Sequence, residues 1–454
     1  MKKILIILGW MVVVFLLLLS KSGNQKHPNI IFITIDALRA DHLGCYGYQR
    51  NTSPNIDKLA SEGVMFDRCF STSSATSYSF PGILTGRYLA VSKGDYAHYT
   101  NIFDSKFDTL AEYLKRLGYY TAAFVNNEHL RMGQGFEQGF DRYENVEDNA
   151  QALTARALDF LNNFKEKKPI FIWIHYLDTH SPYAPLQVCL NKFENDELYK
   201  KNDRILKVRR SNDMGPFASD GDIPKIVFQD DRHNLSYYIA RYDASIFYTD
   251  FYVGELVKEI RDNAIIILTA DHGESLGEHG RCFTHGQNIY DEVLHVPLIF
   301  KDKRYFKAGK KILPAVSSVD IVPTILGRLD CFWYFFNKNR FNGVDLFGLL
   351  NGGNSGRRYI YSYFPWDISI RDVKKNLKFI LNKGGKEELY FLPNEKIDYV
   401  EDKSSWVVKI KERLRRDLRK WYNRGYPIVA DKDSKEATLD SKSEDRLKSL
   451  GYLQ

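Results

Sequence analysis

Ala264-Ile265-Ile266-Ile267-Leu268-Thr269-Ala270-Asp271-His272-Gly273-Glu274 opens the stretch on which the fold turns, and the stretch runs on through Gly277-Glu278-His279-Gly280 to Thr284-His285-Gly286. A short uncharged run from Ala264 to Ala270 ends abruptly in a carboxylate and an imidazole. Runs of this length and composition read as buried strands. A buried strand that ends in adjacent Asp and His is a common way to build a metal site. A charged loop is the plainer reading of an isolated Asp-His pair. The glycines, the second histidine and the Tyr290…Val296-Pro297 continuation favour the metal site.

The same pattern recurs upstream. Asn29 to Ile35 is an apolar run that ends at Asp36, and Ile170 to His175, opened by Pro169, leads to Asp178 and His180. Helical periodicity fills the gaps, at Ser53 to Gly63, Thr109 to Leu117, Ala150 to Phe164 and Leu235 to Ile260. A further strand is expected at Tyr120 to Val125. Strands alternating with helices predict an α/β fold with a doubly wound, mostly parallel sheet. Ligands of such sheets bind beyond the carboxyl ends of the strands. Three strands ending in Asp36, in Asp178 and His180, and in Asp271 and His272 therefore predict an enzyme.

The 454 residues allow one large domain and a smaller one. We expect a catalytic domain over 29–350, with a polar insertion at 186–234 near the site rim, and a smaller α+β subdomain over 351–454. The net charge of +7 is modest and gives no reason to expect a nucleic-acid partner. Five cysteines show no metal-finger spacing. Lys403 to Arg424 carries nine Lys/Arg and two acids. With Trp406, Ile410, Leu414, Leu418 and Trp421 on one face, it predicts a basic amphipathic helix at a membrane surface or an anionic polymer. At the N-terminus, Lys2-Lys3 precedes an uncharged run from Ile4 to Leu19. As a helix that run spans roughly 24 Å. It predicts a signal anchor over 1–20, with a cleaved signal peptide as the alternative, then a linker over 21–28. The catalytic domain is expected on the extracytoplasmic side, membrane-anchored or secreted.

Taken together these segments resemble the sulfatase family of the alkaline-phosphatase superfamily. The resemblance rests on Pro28-Asn29-Ile30-Ile31, on Asp36-Ala37-Leu38-Arg39-Ala40-Asp41-His42-Leu43-Gly44-Cys45-Tyr46-Gly47, and on Pro54-Asn55-Ile56-Asp57-Lys58-Leu59-Ala60. Further carriers are Leu84-Thr85-Gly86-Arg87-Tyr88, Asp178-Thr179-His180-Ser181-Pro182-Tyr183, the Asp271 stretch, Glu388-Leu389-Tyr390 and the tail Leu447 to Leu453. It implies an alkaline-phosphatase-like fold and places the nucleophile at Thr76, nine residues before Thr85. Formylglycine-dependent members carry Cys or Ser there, followed by x-Pro-x-Arg. This chain has Thr76, Tyr78 and Phe80, and Ala37 where those enzymes have a second metal-binding Asp. Threonine cannot become formylglycine, yet superfamily members acting on phosphate diesters and phospho-headgroups attack through threonine. A simple helix N-cap is the alternative for Thr76, with Ser77 and Ser79 as fallback nucleophiles.

The resemblance implies a metal cage of Asp36, Thr76, Asp271 and His272. Mixed oxygen and imidazole donors suit Mn²⁺ or Zn²⁺ better than Ca²⁺. His180 and His285 are expected to bind the anionic oxygens or to move the leaving-group proton. Together with Asp178 they could instead hold a second metal. His42, His175, His279 and His295 are set aside as structural or rim residues, and Arg39 and Arg87 as salt-bridge formers. The expected activity is metal-dependent hydrolysis of sulfate or phosphate esters through a covalent intermediate on Thr76. The partner is an anionic ester on a glycan, a lipid headgroup or a small molecule. A phosphoethanolamine- or phosphoglycerol-type headgroup transferase and a degenerate binding protein are the alternatives.

Overall fold

The computed structural model describes residues 27–90, 103–195, 197, 203–209, 221–261, 263–304, 308–329, 331–353, 357–364, 367–382, 384–393, 395–425 and 428–429. The expected membrane segment at 1–20 and the tail Leu447 to Leu453 lie outside these residues. Among the described residues no helix is long and apolar enough to cross a membrane.

Eight strands form the central sheet. In chain order they are β1 (Ile30–Ile35), β2 (Val64–Phe66), β3 (Tyr120–Val125), β4 (Arg142–Asn145), β5 (Ile170–Tyr176), β6 (Ile265–Ala270), β7 (Leu298–Lys301) and β8 (Lys310–Ile312). They lie side by side in the order β8-β2-β7-β6-β1-β5-β3-β4. All neighbours pair in parallel except β7, which runs antiparallel to both β6 and β2. Strands β1, β5 and β6 are buried along their whole length, as their unbroken apolar sequence requires of strands covered on both faces.

The α-helices longer than one turn are α1 (Pro54–Glu62), α2 (Thr76–Thr85), α3 (Leu110–Arg116), α4 (Ala150–Asn163), α5 (Leu235–Glu259), α6 (Ile321–Leu329), α7 (Cys331–Asn337) and α8 (Ser405–Asn423). Helices α1 and α4 pack on α5, whereas α3 and α6 pack on α2. Local sequence sets several of these boundaries. Helix α1 starts with Pro at its first position, where a missing N–H costs nothing. Helix α3 starts at a capping box, with the Thr109 hydroxyl accepting from Glu112 N and the Glu112 side chain accepting from Thr109 N. The expected helices and strands fall within a residue or two of the observed ones. The short strands β2, β4, β7 and β8 escape the sequence pattern.

A second apolar cluster lies under an antiparallel meander of β9 (Tyr359–Phe364), β10 (Asp367–Asp372), β11 (Leu377–Leu381) and β12 (Glu387–Phe391). Helix α8 covers this sheet, so most of the apolar face expected to meet a membrane surface or an anionic polymer is packed inside the protein, with Trp406 left 53% exposed. Val407, Leu414, Leu418 and Trp421 are buried there. The Trp421 ring stacks on Tyr361 at 4.5 Å. Arg413 pairs with Asp372 at 3.0 Å, and Arg415 pairs with Glu387. A four-stranded sheet needs a cover on its apolar face, and α8 supplies it.

Candidate active site

Register explains why the expected residues meet. Ile35, the last residue of β1, sits opposite Tyr176 of β5 and Ala270 of β6. The residues just beyond these strands, Asp36 and Asp271-His272, therefore leave the sheet at one level and on adjacent strands. One ligand atom from each of Asp36, Asp271 and His272 lies within 4.8 Å of the others, and all three residues are buried. His272 Nε2 is 3.3 Å from Asp271 Oδ2 and 3.6 Å from Asp36 Oδ1. Neither of those two carboxylate oxygens has a hydrogen-bond partner among the described residues. Orphaned buried carboxylate oxygens are costly unless a cation satisfies them. The donor set of two carboxylates and one imidazole fits a divalent metal.

Thr76 is the first residue of α2 and is 2% exposed. Its hydroxyl does not cap the helix. It lies 3.2 Å from His272 Nε2 and donates to Asp36 Oδ2 at 3.4 Å. The fallback Ser79 is occupied elsewhere, since its hydroxyl donates to the Thr76 carbonyl at 3.2 Å. Ala37 has no carboxylate to offer. It adopts a left-handed φ of 53°, and its N–H donates to Asp271 Oδ1 at 3.3 Å.

Electrostatics follow from the clustering. Burial pushes the Asp36 carboxyl up, but a hydrogen bond from His175 and the fields of His180, His272 and His175 hold it below the usual range. Asp271 is pushed up by burial and by the nearby Asp36 charge. Burial opposes a charged His272 ring, yet Asp271 and Asp36 raise its proton affinity above the ordinary value. His180 and His285 face each other, with ring centroids 4.6 Å apart, and His285 stacks on His272 at 4.3 Å. Burial and the neighbouring imidazoles lower His180 to about 4 and His285 to about 3.

Asp178 does not join these histidines. Its Oδ1 accepts from Ala150 N at 3.0 Å at the start of α4. Among the described residues, the second-metal grouping of Asp178, His180 and His285 does not form. His42 pairs with buried Asp243 at 2.7 Å, and His295 contacts the Asp67 carbonyl at 2.9 Å, both away from the cage. Arg39 is a salt-bridge former as expected, but a buried one, pairing with Asp41 and Glu278.

Three residues were not picked out from the sequence. Asn127, two positions beyond β3, donates through Nδ2 to Asp36 Oδ2 at 2.6 Å. His175, set aside as structural, lies 3.3 Å from the same oxygen and 2.9 Å from Thr34 Oγ1. Glu274 is fully buried, with Oε1 3.4 Å from His285 Nδ1. Burial raises its carboxyl to about 7, against the opposing pull of His180 and His272. The available signal was position: Asn126-Asn127 also follows the end of a parallel strand, and Glu274 lies only three residues beyond Asp271.

This sheet, with the candidate site at its strand ends, is a doubly wound α/β architecture of the kind that binds ligands beyond the carboxyl ends of its strands. The sequence profile of the sulfatase family matches residues 28–331, and the chain belongs to that family. It is 24% identical over 383 residues to N-acetylglucosamine-6-O-sulfatase of Bacteroides thetaiotaomicron, covering 67% of this chain and 68% of the relative. It is 25% identical over 364 residues to human iduronate 2-sulfatase, covering 64% and 63% of the two chains. Among solved structures, the phosphonate monoester hydrolase of Agrobacterium radiobacter superposes with a TM-score of 0.70 at 19% identity, over 91% of this chain and 100% of that one. The chain is thus an ester-hydrolysing enzyme of the sulfatase family.

Proposed function

We propose that this chain is a metal-dependent hydrolase of anionic esters in which Thr76 is the nucleophile and phosphorus esters outrank sulfate esters. The observation that carries the reading is the Thr76 hydroxyl, buried at the start of α2 between His272 and Asp36. The amino end of a helix favours a developing alkoxide and a bound anion. Phe80 supports the preference for phosphorus. It fills the place where formylglycine enzymes keep an Arg, and it is packed against Trp173 at 5.0 Å and His175 at 5.1 Å.

The Thr76 oxygen attacks the phosphorus, forming the Oγ–P bond as the bond to the leaving oxygen breaks. Its proton leaves toward the Asp271 carboxylate, whose proton affinity burial and the Asp36 charge raise. His180 and His285 are neutral in the free enzyme. A bound anion at their ring edges raises their proton affinity, and a proton held there passes to the leaving oxygen. Water then attacks the phosphorus as the Oγ–P bond breaks, giving its proton to the imidazole left neutral by the first step, while the proton held at the carboxylate returns to the threonine oxygen. A divalent cation held by Asp36, Asp271, His272 and Thr76, with Mn²⁺ or Zn²⁺ favoured by the imidazole donor, would supply charge neutralisation and lower the hydroxyl pKa.

The same proposal puts the catalytic domain outside the cytoplasm, held by residues 1–20 as an uncleaved anchor. The substrate is an anionic ester on a glycan, a lipid headgroup or a small molecule. The test is turnover of an aryl sulfate, an aryl phosphonate monoester and an aryl phosphate diester that share one leaving group. Phosphorus esters should react faster, and Thr76→Ala should abolish the reaction. Aryl-sulfate turnover well above the other two would overturn the preference.

A further inference from the structure

Helix α7 and the turn after it carry Trp333-Tyr334-Phe335-Phe336-Asn337-Lys338-Asn339-Arg340, with no acidic residue between Cys331 and Val344. Trp333 and Tyr334 face the protein. Trp333 packs on Tyr113 of α3 at 5.3 Å, and Tyr334 packs on Phe341 at 6.1 Å. Phe335 and Phe336 face outward, 63% and 68% exposed. Lys338 and Arg340 are exposed beside them, with Lys338 Nζ 5.2 Å from the Phe335 ring centre. Two adjacent exposed phenylalanines rimmed by cations are uncommon on a surface that meets only water. The combination suits the headgroup region of an anionic bilayer, where rings enter the interface and cations meet phosphate.

Position supports the same partner. His27, the first described residue, contacts the Tyr119 ring at 5.7 Å. Tyr119 lies just past the end of α3, six residues from Tyr113, which carries Trp333. These two contacts connect α7 to His27 through α3 and the turn that follows it. The apolar run Ile4 to Leu19 precedes His27 by eight residues, and eight residues reach at most about 28 Å. A bilayer holding that run would lie within that reach of His27.

We propose that the α7 patch docks on an anionic lipid surface and sets the orientation of the catalytic domain on the membrane. This rests on the N-terminal anchor reading. The active-site residues sit at the carboxyl ends of β1 and β6, whereas His27 precedes the amino end of β1. An anchor leading into His27 therefore enters at the end of β1 opposite Asp36.

The test uses the full chain, reconstituted in phosphatidylcholine vesicles, in vesicles containing phosphatidylserine, and in detergent micelles. Amide hydrogen exchange is followed at 331–341, with Ile265–Ala270 as a reference for the intact sheet. Exchange at 331–341 should slow in the anionic vesicles and less in the neutral ones. It should return to the micelle rate in a Phe335→Ser, Phe336→Ser double variant that keeps full activity on a soluble aryl ester. Each cation removed by Lys338→Gln or Arg340→Gln should weaken docking about fivefold. Equal exchange in vesicles and micelles would overturn the proposal. So would protection in micelles that rises with protein concentration, since a second copy would then cover the patch. Alkaline carbonate extraction reports on the anchor separately. A chain stripped by carbonate refutes the anchor, and its sedimentation with anionic vesicles, still dependent on Phe335 and Phe336, then decides the patch alone.

Discussion

Replacing Asp271 by Asn should stabilise the metal-free protein while destroying its response to metal. Asp36 and Asp271 each present a ligand oxygen within 4.8 Å of the other, both buried. At an effective dielectric of about 20, two unit charges at that distance repel by about 3.5 kcal/mol. The His272 ring, 3.3 and 3.6 Å from the two oxygens, offsets part of this. We expect the metal-free Asp271→Asn variant to gain about 1–3 kcal/mol. An Asn Oδ1 can still accept from Ala37 N and His272 N, which now bond to Asp271 Oδ1 at 3.3 and 2.9 Å. Its Nδ2 can donate toward Asp36, so no buried group is left unpaired. The wild-type chain should instead gain about 2.7 kcal/mol at a metal concentration one hundred times its dissociation constant. Denaturant melts in chelator and in Mn²⁺ or Zn²⁺, with metal content measured on the same samples, read both effects. A wild-type stability indifferent to chelator would refute the reasoning. So would an Asp271→Asn variant that binds metal stoichiometrically, or one less stable than wild type when both are metal-free.

Glu274→Gln removes the carboxylate beside His285 Nδ1 without changing volume. We expect kcat to fall about 10–100-fold for poor leaving groups, with KM nearly unchanged. The loss should vanish for leaving groups that need no proton, and an equal loss across all leaving groups would contradict the role. His180 and His285 have folded pKa values of about 4 and about 3, below the ordinary value of about 6.5. Their contribution is therefore full above pH 6.5 and is lost as pH falls toward 4, by about 1.4 kcal/mol per pH unit for each ring. Unfolding measured from pH 7 to 4.5 in the metal-free protein should show this slope, and His180→Gln should flatten it. Phe80 is fully buried among Trp173, His175 and Phe136. Phe80→Ala should cost about 3–5 kcal/mol in denaturant melts. Phe80→Arg should cost no less, because it buries an unpaired cation, and it should not confer aryl-sulfate turnover.

Which parts of this architecture sequence could show follows from the physics of each element. Strands β1, β5 and β6 are buried on both faces, so their sequences are unbroken apolar runs, and the polar residues that end them stand out. Helices α1, α3, α4 and α5 carry 3.6-residue periodicity and, in α1 and α3, readable start signals. Strand β7 is four residues long and β2 three, too short for any period to register. Its reversal is a tertiary fact, set by pairing between β6 and β2. In the site, Asp36, Asp271 and His272 were legible because each follows a strand directly. Asn127 and His175 were not, since their part depends on which strands become neighbours of β1. The face of α8 was legible as amphipathic, but amphipathicity does not say what covers it. Here the cover is the β9–β12 sheet.

The most direct measurement of the central claim is peptide mapping of enzyme quenched during turnover of a phosphate diester. The account predicts a phosphorylated peptide containing Thr76, lost in Thr76→Ala and retained in part in Thr76→Ser. Full turnover with an unmodified Thr76 peptide, or undiminished activity in Thr76→Ala, would contradict it.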